Sequence, residues 1–186
     1  MHRFQADQIA EAAALLHAGG VLAYPTEAVF GLGCDPDNHE AFQKIFALKQ
    51  RPPEQGVLLI ASDFSQIAHW IEAPPEAIAR AQATWPGAHT WIFPRTNRVP
   101  EWVAGGHSGI ALRITAHPIA AALCSAFGGP IVSTSANVHG EPPARSAEEI
   151  GAMFSTGLDG VLHGETGGLQ RPTPIADALT GAIIRA

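Results

Sequence analysis

Short apolar runs recur along this chain, separated by stretches whose apolar residues fall on one helical face. This alternation constrains the fold more than any other feature. The runs are VLAYP (21–25), VLLIA (57–61), AHTWIFP (88–94), GIALRIT (109–115) and PIVST (130–134). Each has strand length, and VLLIA, apolar throughout, reads as a strand buried on both faces. Between the runs, helices are expected over 7–18, 38–49, from Ser62 or Asp63 to about Trp70, from Pro74-Pro75 to near Trp85, over 118–127 and over 146–154. Asp7 is the expected cap of the first, and Asp37 and Glu40 have capping-box spacing at the second. IADAL and AIIRA flank Thr180-Gly181 as a closing hairpin. TEAVFGLGCDPDN is expected to be a loop, and the Pro-, Gly- and Arg-rich segment between AHTWIFP and GIALRIT a mobile one. Interleaved helices and strands predict the α/β class. The added hairpin predicts a mixed, twisted sheet.

The 186 residues suit one domain, expected to span 1–186. A chain of this length buries about 70% of its unfolded surface, so its core needs no metal or disulfide staple. Apolar residues make up 46% and charged residues 15%, a globular composition. Eleven Lys and Arg against seventeen Asp and Glu give a net charge of −6. That argues against a general basic surface for nucleic acid, yet leaves room for a local anion pocket. Cys34 and Cys124 form no CxxC pair, which fits free thiols in a reducing compartment. The N-terminus has no apolar signal region, and no apolar run approaches the ~20 residues of a membrane span. A soluble, cytoplasmic protein with no membrane partner is expected.

In a chain so poor in cations, Lys49 and Arg51 stand out. Two residues apart on a helix, they would point to nearly opposite sides. Arg51 precedes Pro52, which disfavours helix for Arg51, so the helix should stop near Lys49 or Gln50 and the cations can then converge. Neutralising a helix C-terminus is the alternative role for both.

Other stretches also carry chemistry. In YPTEAVFGLG (24–33), Thr26 and Glu27 sit where a strand leaves the sheet, a common place for ligand groups. Glu27 is equally read as a surface charge or a loop cap. In GIALRIT, Ile110, Leu112 and Ile114 face one way and Arg113 the other. Arg113, a lone cation within an apolar strand, needs an anionic partner, either a ligand or a structural acid. STSANVHGEPP (133–143) offers Ser133, Thr134, Ser135 and Asn137 after a strand, as an anion pocket or as a polar turn. GETGG (164–168) lacks the P-loop pattern. The nine histidines show no metal-ligand spacing, and His17, His39 and His117 read as surface or packing residues.

Taken in order, YPTEAVFGLGCDP, LKQRP, PGAHTWIFP, ALRITAHP and STSANVHGEPP resemble the YrdC/Sua5 family. The length and the GETGG…IADALTG ending resemble its short bacterial form, without the extra C-terminal Sua5 domain. The resemblance implies an α/β single-domain twisted mixed sheet with flanking helices and a large concave cavity. It implies a threonylcarbamoyl-AMP synthase, a nucleotidyltransferase that joins L-threonine, bicarbonate or CO₂, and ATP. Threonylcarbamoyl-adenylate and pyrophosphate are the implied products, and downstream proteins would move the threonylcarbamoyl group to adenosine 37 of tRNAs reading ANN codons. Mg²⁺ would arrive on the ATP phosphates, with no protein metal ligand expected.

The family's KxR…SxN motif matches Lys49-Gln50-Arg51 and Ser135-Ala136-Asn137. By this resemblance Lys49 and Arg51 are the catalytic phosphate clamp. Thr90, Ser135, Asn137 and Arg185 join them at the nucleotide. Thr26, Arg113, Ser133 and Thr173 hold threonine. The chain departs from the family at Gly56-Val57, Ala61, His139 and TPIAD, which leaves the role of Thr173 less defined. The alternative is a double-stranded RNA-binding or ribosome-maturation factor using the same cavity with a weak direct RNA contact, against which the net charge counts. A lyase of the dihydroxybutanone-phosphate synthase type needs an acidic cluster, and only Glu27 and Asp35 lie near YPTEAVFGLG.

Overall fold

The computed structural model describes residues 1–50 and 56–186. In chain order the elements are β1 (His2–Phe4), α1 (Ile9–His17), β2 (Leu22–Pro25), β3 (Phe30–Gly33), α2 (His39–Lys49), β4 (Leu58–Ala61), α3 (Pro75–Gln82) and β5 (Thr90–Pro94). There follow α4 (Glu101–Ala104), β6 (Gly109–Ile114), α5 (Pro118–Phe127), β7 (Ile131–Ser135), α6 (Ala147–Met153), β8 (Gly160–Leu162), β9 (Ile175–Asp177) and β10 (Ile183–Arg185). Residues expected as a helix before Trp70 form two short 3₁₀ turns, Phe64–Gln66 and Ala68–Trp70.

Among the described residues one mixed sheet of ten strands runs β1-β8-β2-β3-β7-β4-β6-β5-β9-β10. Strand β7 joins its two halves: Leu32 stands opposite Thr134, and Leu58 opposite Ser133. The expected closing hairpin is present, with β10 antiparallel to β9.

Successive residues of β4 enter different cores. Leu59 packs with Phe42, Ile45, Phe93 and Leu112, while Ile60 packs with Leu16, Tyr24, Leu123 and Ile131. Helix-covered layers on both sheet faces follow, as the uniformly apolar VLLIA requires. Full burial of a side chain such as Ile45 contributes about 1.5–3 kcal/mol, and Ile45 is completely buried.

Three local readings change. The stretch after Pro25 is not all loop, because β3 pairs with β2 across a tight turn in which the Thr26 amide donates to the Val29 carbonyl at 3.1 Å. Its glycines hid the strand. A Cβ on Gly33 would lie 2.5 Å from the Val132 carbonyl oxygen, so close strand packing requires glycine there. The caps differ as well. Helix α1 follows Gln8 with no side-chain cap, and α2 is capped by Asn38, whose side chain accepts from the Ala41 amide at 2.9 Å.

Asp37 instead accepts two bonds from Arg98, at 2.7 and 2.6 Å, and that guanidinium lies 4.2 Å above the Trp70 ring. With Arg95 on Glu101 and the Trp102 indole on the Pro36 carbonyl, these bonds tie down the segment expected to be mobile. It contains α4 and forms part of the cavity wall through Val103 and Ala104.

Candidate active site

A concave cavity of about 990 Å³ opens beside the middle of the sheet. Thr26, Thr90, Arg113, Ser133, Ser135, Thr173 and Arg185, all singled out in the sequence, line it. Lys49 and Asn137 are not among the described lining residues, and Arg51 lies outside the described residues.

Strand parity points Arg113 inward from β6, where it is 6% exposed. Its Nη1 donates to Glu27 Oε2 at 3.2 Å, completing a buried ion pair. Its Nε and Nη2 donate to the Thr90 hydroxyl at 3.1 and 2.8 Å, and Nη2 also donates to the Thr173 hydroxyl. Four of the five guanidinium protons are thereby engaged. Both threonine oxygens accept from Arg113, so their own protons are left to donate toward the cavity. Burial holds the Arg113 pKa below its ordinary value, and Glu27 offsets only part of that lowering.

Thr26 is arranged the other way. Its hydroxyl donates to the Val29 carbonyl at 2.7 Å, leaving lone pairs to accept from a ligand N–H. The wall therefore offers donors at Thr90 and Thr173 and an acceptor at Thr26, which suits the carboxylate and amine of an amino acid.

Lys49 ends α2 at 3% exposure. Gln50 follows in the left-handed region at φ 49°, so the helix stops where Pro52 predicts. The ammonium donates to the Ser135 carbonyl, to the Asn137 carbonyl at 3.1 Å and to Asn137 Oδ1 at 3.0 Å. Ser135 Oγ donates to the same Oδ1 at 2.7 Å, and Asn137 Nδ2 donates to the Val138 and Glu141 carbonyls at 3.0 Å each. Asn137 thus shapes the turn after β7. Ser135 is the member of the pair that reaches the cavity.

The threonine and nucleotide groups named by resemblance share one wall. Thr90, expected at the nucleotide, bonds Arg113, expected at threonine. Arg185 donates to the Thr173 carbonyl at 2.8 Å. Sequence reading missed Arg145 and Arg171, which also line the cavity. Arg171 had a visible signal, because it stands two residues before Thr173 in a Gly- and Pro-rich stretch. Among the described residues no group of three or more His, Cys, Asp and Glu could hold a metal ion. His17 stacks on Phe127, His39 lies tilted against Trp102, and buried His117 bonds the Glu165 carbonyl at 2.9 Å.

The Sua5/YciO/YrdC family model, described as "telomere recombination", matches residues 14–186. The chain belongs to this family. It is 57% identical over 177 residues to the threonylcarbamoyl-AMP synthase of Stenotrophomonas maltophilia, covering 94% of this chain and 95% of the relative. Its fold superposes on E. coli YciO with a TM-score of 0.87 at 27% identity, covering 99% and 93% of the two chains. It also matches P. abyssi Sua5 complexed with L-threonine, with a TM-score of 0.88 at 29% identity. That match covers 95% of this chain and 53% of Sua5, so the chain spans about half of the longer family member.

Proposed function

We propose that this protein is a threonylcarbamoyl-AMP synthase working as a single YrdC-like domain. One observation carries the reading. A single cavity wall joins an amino-acid-sized set of donors and acceptors (Arg113, Thr90, Thr173, Thr26) to further arginines, Arg145, Arg171 and Arg185, suited to phosphates. Near-full-length identity to a synthase of that name supports it.

In the proposed reaction the threonine nitrogen bonds to CO₂ and releases a proton, giving an N-carboxylate. A carboxylate oxygen then attacks the α-phosphorus of ATP. A new P–O bond forms, the α–β bridge breaks, and pyrophosphate leaves. No acid–base pair is required, since positioning and charge neutralisation lower such a barrier. Arg113 with its hydroxyls orients threonine, Ser135 and Arg185 meet the nucleotide, and Arg51 joins the phosphate clamp. Lys49 and Asn137 hold the turn that carries Ser135. Mg²⁺ travels on the phosphates, since Asp177 is the only carboxylate among the described cavity-lining residues. The product passes to proteins that modify tRNA in the cytoplasm, where Cys34 and Cys124 remain thiols.

The test is pyrophosphate release by the purified protein. Release that needs both L-threonine and bicarbonate, with a threonylcarbamoyl-adenylate mass, is the expected result. Folded, ATP-binding protein that releases none would overturn the proposal.

A further inference from the structure

Glu27 is 7% exposed and is not among the described cavity-lining residues, yet each of its carboxylate oxygens has a partner. Oε2 accepts from Arg113 Nη1 at 3.2 Å. Oε1 accepts from the Thr115 hydroxyl at 2.6 Å and from the Ala116 amide at 3.2 Å. The carboxylate thus spans from the β2–β3 turn to the end of β6, and it meets the guanidinium at Nη1, whereas Thr90 and Thr173 meet it at Nε and Nη2.

The backbone of the same turn also holds the segment that leads to Thr173. The Thr26 carbonyl accepts from the Gly167 amide at 2.9 Å and the Glu27 carbonyl from the Leu169 amide at 3.0 Å. These bonds seat the GETGG segment, and four residues after Leu169 the chain delivers Thr173 to Arg113. One turn therefore sets both the guanidinium, through charge, and the hydroxyl beside it, through the strap.

We infer that Glu27 is a positioning residue for threonine recognition, holding Arg113 at Nη1 so that the guanidinium and the flanking Thr90 and Thr173 hydroxyls meet the substrate carboxylate. The inference rests on the proposed role of Arg113 at threonine. Physically, a guanidinium this buried keeps its charge and needs a paired anion, and with four of its five protons engaged, the one N–H left and the two hydroxyls meet a carboxylate only at a fixed angle. Glu27 supplies both conditions without touching substrate.

The experiment measures kcat and the KM values for L-threonine and ATP by pyrophosphate release in Glu27→Gln, Glu27→Asp and Arg113→Lys. Glu27→Gln keeps the shape and removes the charge. Its threonine KM is expected to rise about tenfold to a hundredfold, the scale of a small misplacement at a reacting group. Its ATP KM should stay within about twofold, and Glu27→Asp should recover part of the loss. A merely structural role would lower thermal stability or kcat and leave the threonine KM alone. That pattern overturns the inference. If Glu27→Gln does not fold, Thr115→Val takes its place, because it removes the hydroxyl bond that anchors Oε1 and leaves the Ala116 amide and the Arg113 contact, and an unchanged threonine KM there overturns the inference equally. A raised threonine KM in Arg113→Lys with none in Glu27→Gln removes Glu27 alone. An unchanged threonine KM in Arg113→Lys removes the underlying assignment of Arg113.

Discussion

The Lys49 ammonium lies 3.0 Å from the side-chain oxygen of Asn137, binding the end of α2 to the turn after β7. A cation at a helix end is ordinarily a minor stabiliser at the surface. This one is buried and bonds two carbonyls and an amide oxygen. Lys49→Ala is therefore expected to lose both turnover and stability. Unsatisfied buried acceptors cost about 1–3 kcal/mol. Urea unfolding of Lys49→Ala, Asn137→Ala and the double variant checks this. A double variant no worse than Lys49→Ala is expected, and strict additivity of the two losses would break the coupling.

Arg113 and Glu27 should behave as a pair in stability as well as in catalysis. Removing one partner of a buried ion pair costs about 3–5 kcal/mol, because the other charge is stranded. Replacing both by apolar groups of similar size is often tolerated. Arg113→Met should thus unfold at lower denaturant than Arg113→Met/Glu27→Met, while neither retains threonine-dependent turnover. A double variant less stable than Arg113→Met would show that the pair stabilises the fold beyond mutual compensation.

Much of this site was legible in the sequence, for reasons that particular residues make plain. Strand parity alone set Arg113 on the face opposite Ile110, Leu112 and Ile114, and Pro52 alone placed the end of α2. The helix-and-strand alternation gave the class of fold. Information carried by distant pairs was not legible. Glu27 meets Arg113 across 86 residues, and Asp37 meets Arg98 across 61, so no local pattern announces either. Strands β1 and β8 have three residues each, too few for a period, and become strands through pairing with each other. Glycines masked β3, because what fits between the Tyr24 ring and the Val132 carbonyl is a tertiary matter.

Gly167 offers a separate test of the strap. A Cβ there would lie 2.9 Å from the Glu27 carbonyl oxygen and 3.0 Å from its Cα. Gly167→Ala should push the strap from the β2–β3 turn, costing about 1–3 kcal/mol as overpacking does, with a fall in turnover through displaced Thr173. At Gly129 the nearest atom to an added Cβ is 4.0 Å away. Gly129→Ala should be neutral or stabilising by up to about 1 kcal/mol. Equal effects of the two substitutions in thermal melts would contradict the close packing of strap on turn.

His89 links the site to pH. Burial first, and the nearby Arg113 charge second, hold its pKa below the ordinary value of 6.5. Its Nε2 is buried without a hydrogen-bond partner, and its ring stacks on Trp91 at 4.6 Å. The folded protein therefore favours neutral His89, and the unfolded chain binds its proton more readily. By linkage, the His89 contribution is fully present above the unfolded value and is lost as pH falls through the lower folded one. Denaturation curves from pH 7.5 down to 5 should show the wild type losing more stability than His89→Asn. Arg113→Met should show a shallower loss than wild type, because one cause of the depression is gone. Parallel pH profiles for wild type and His89→Asn would mean that His89 titrates alike in both states, and the assigned causes would then be wrong.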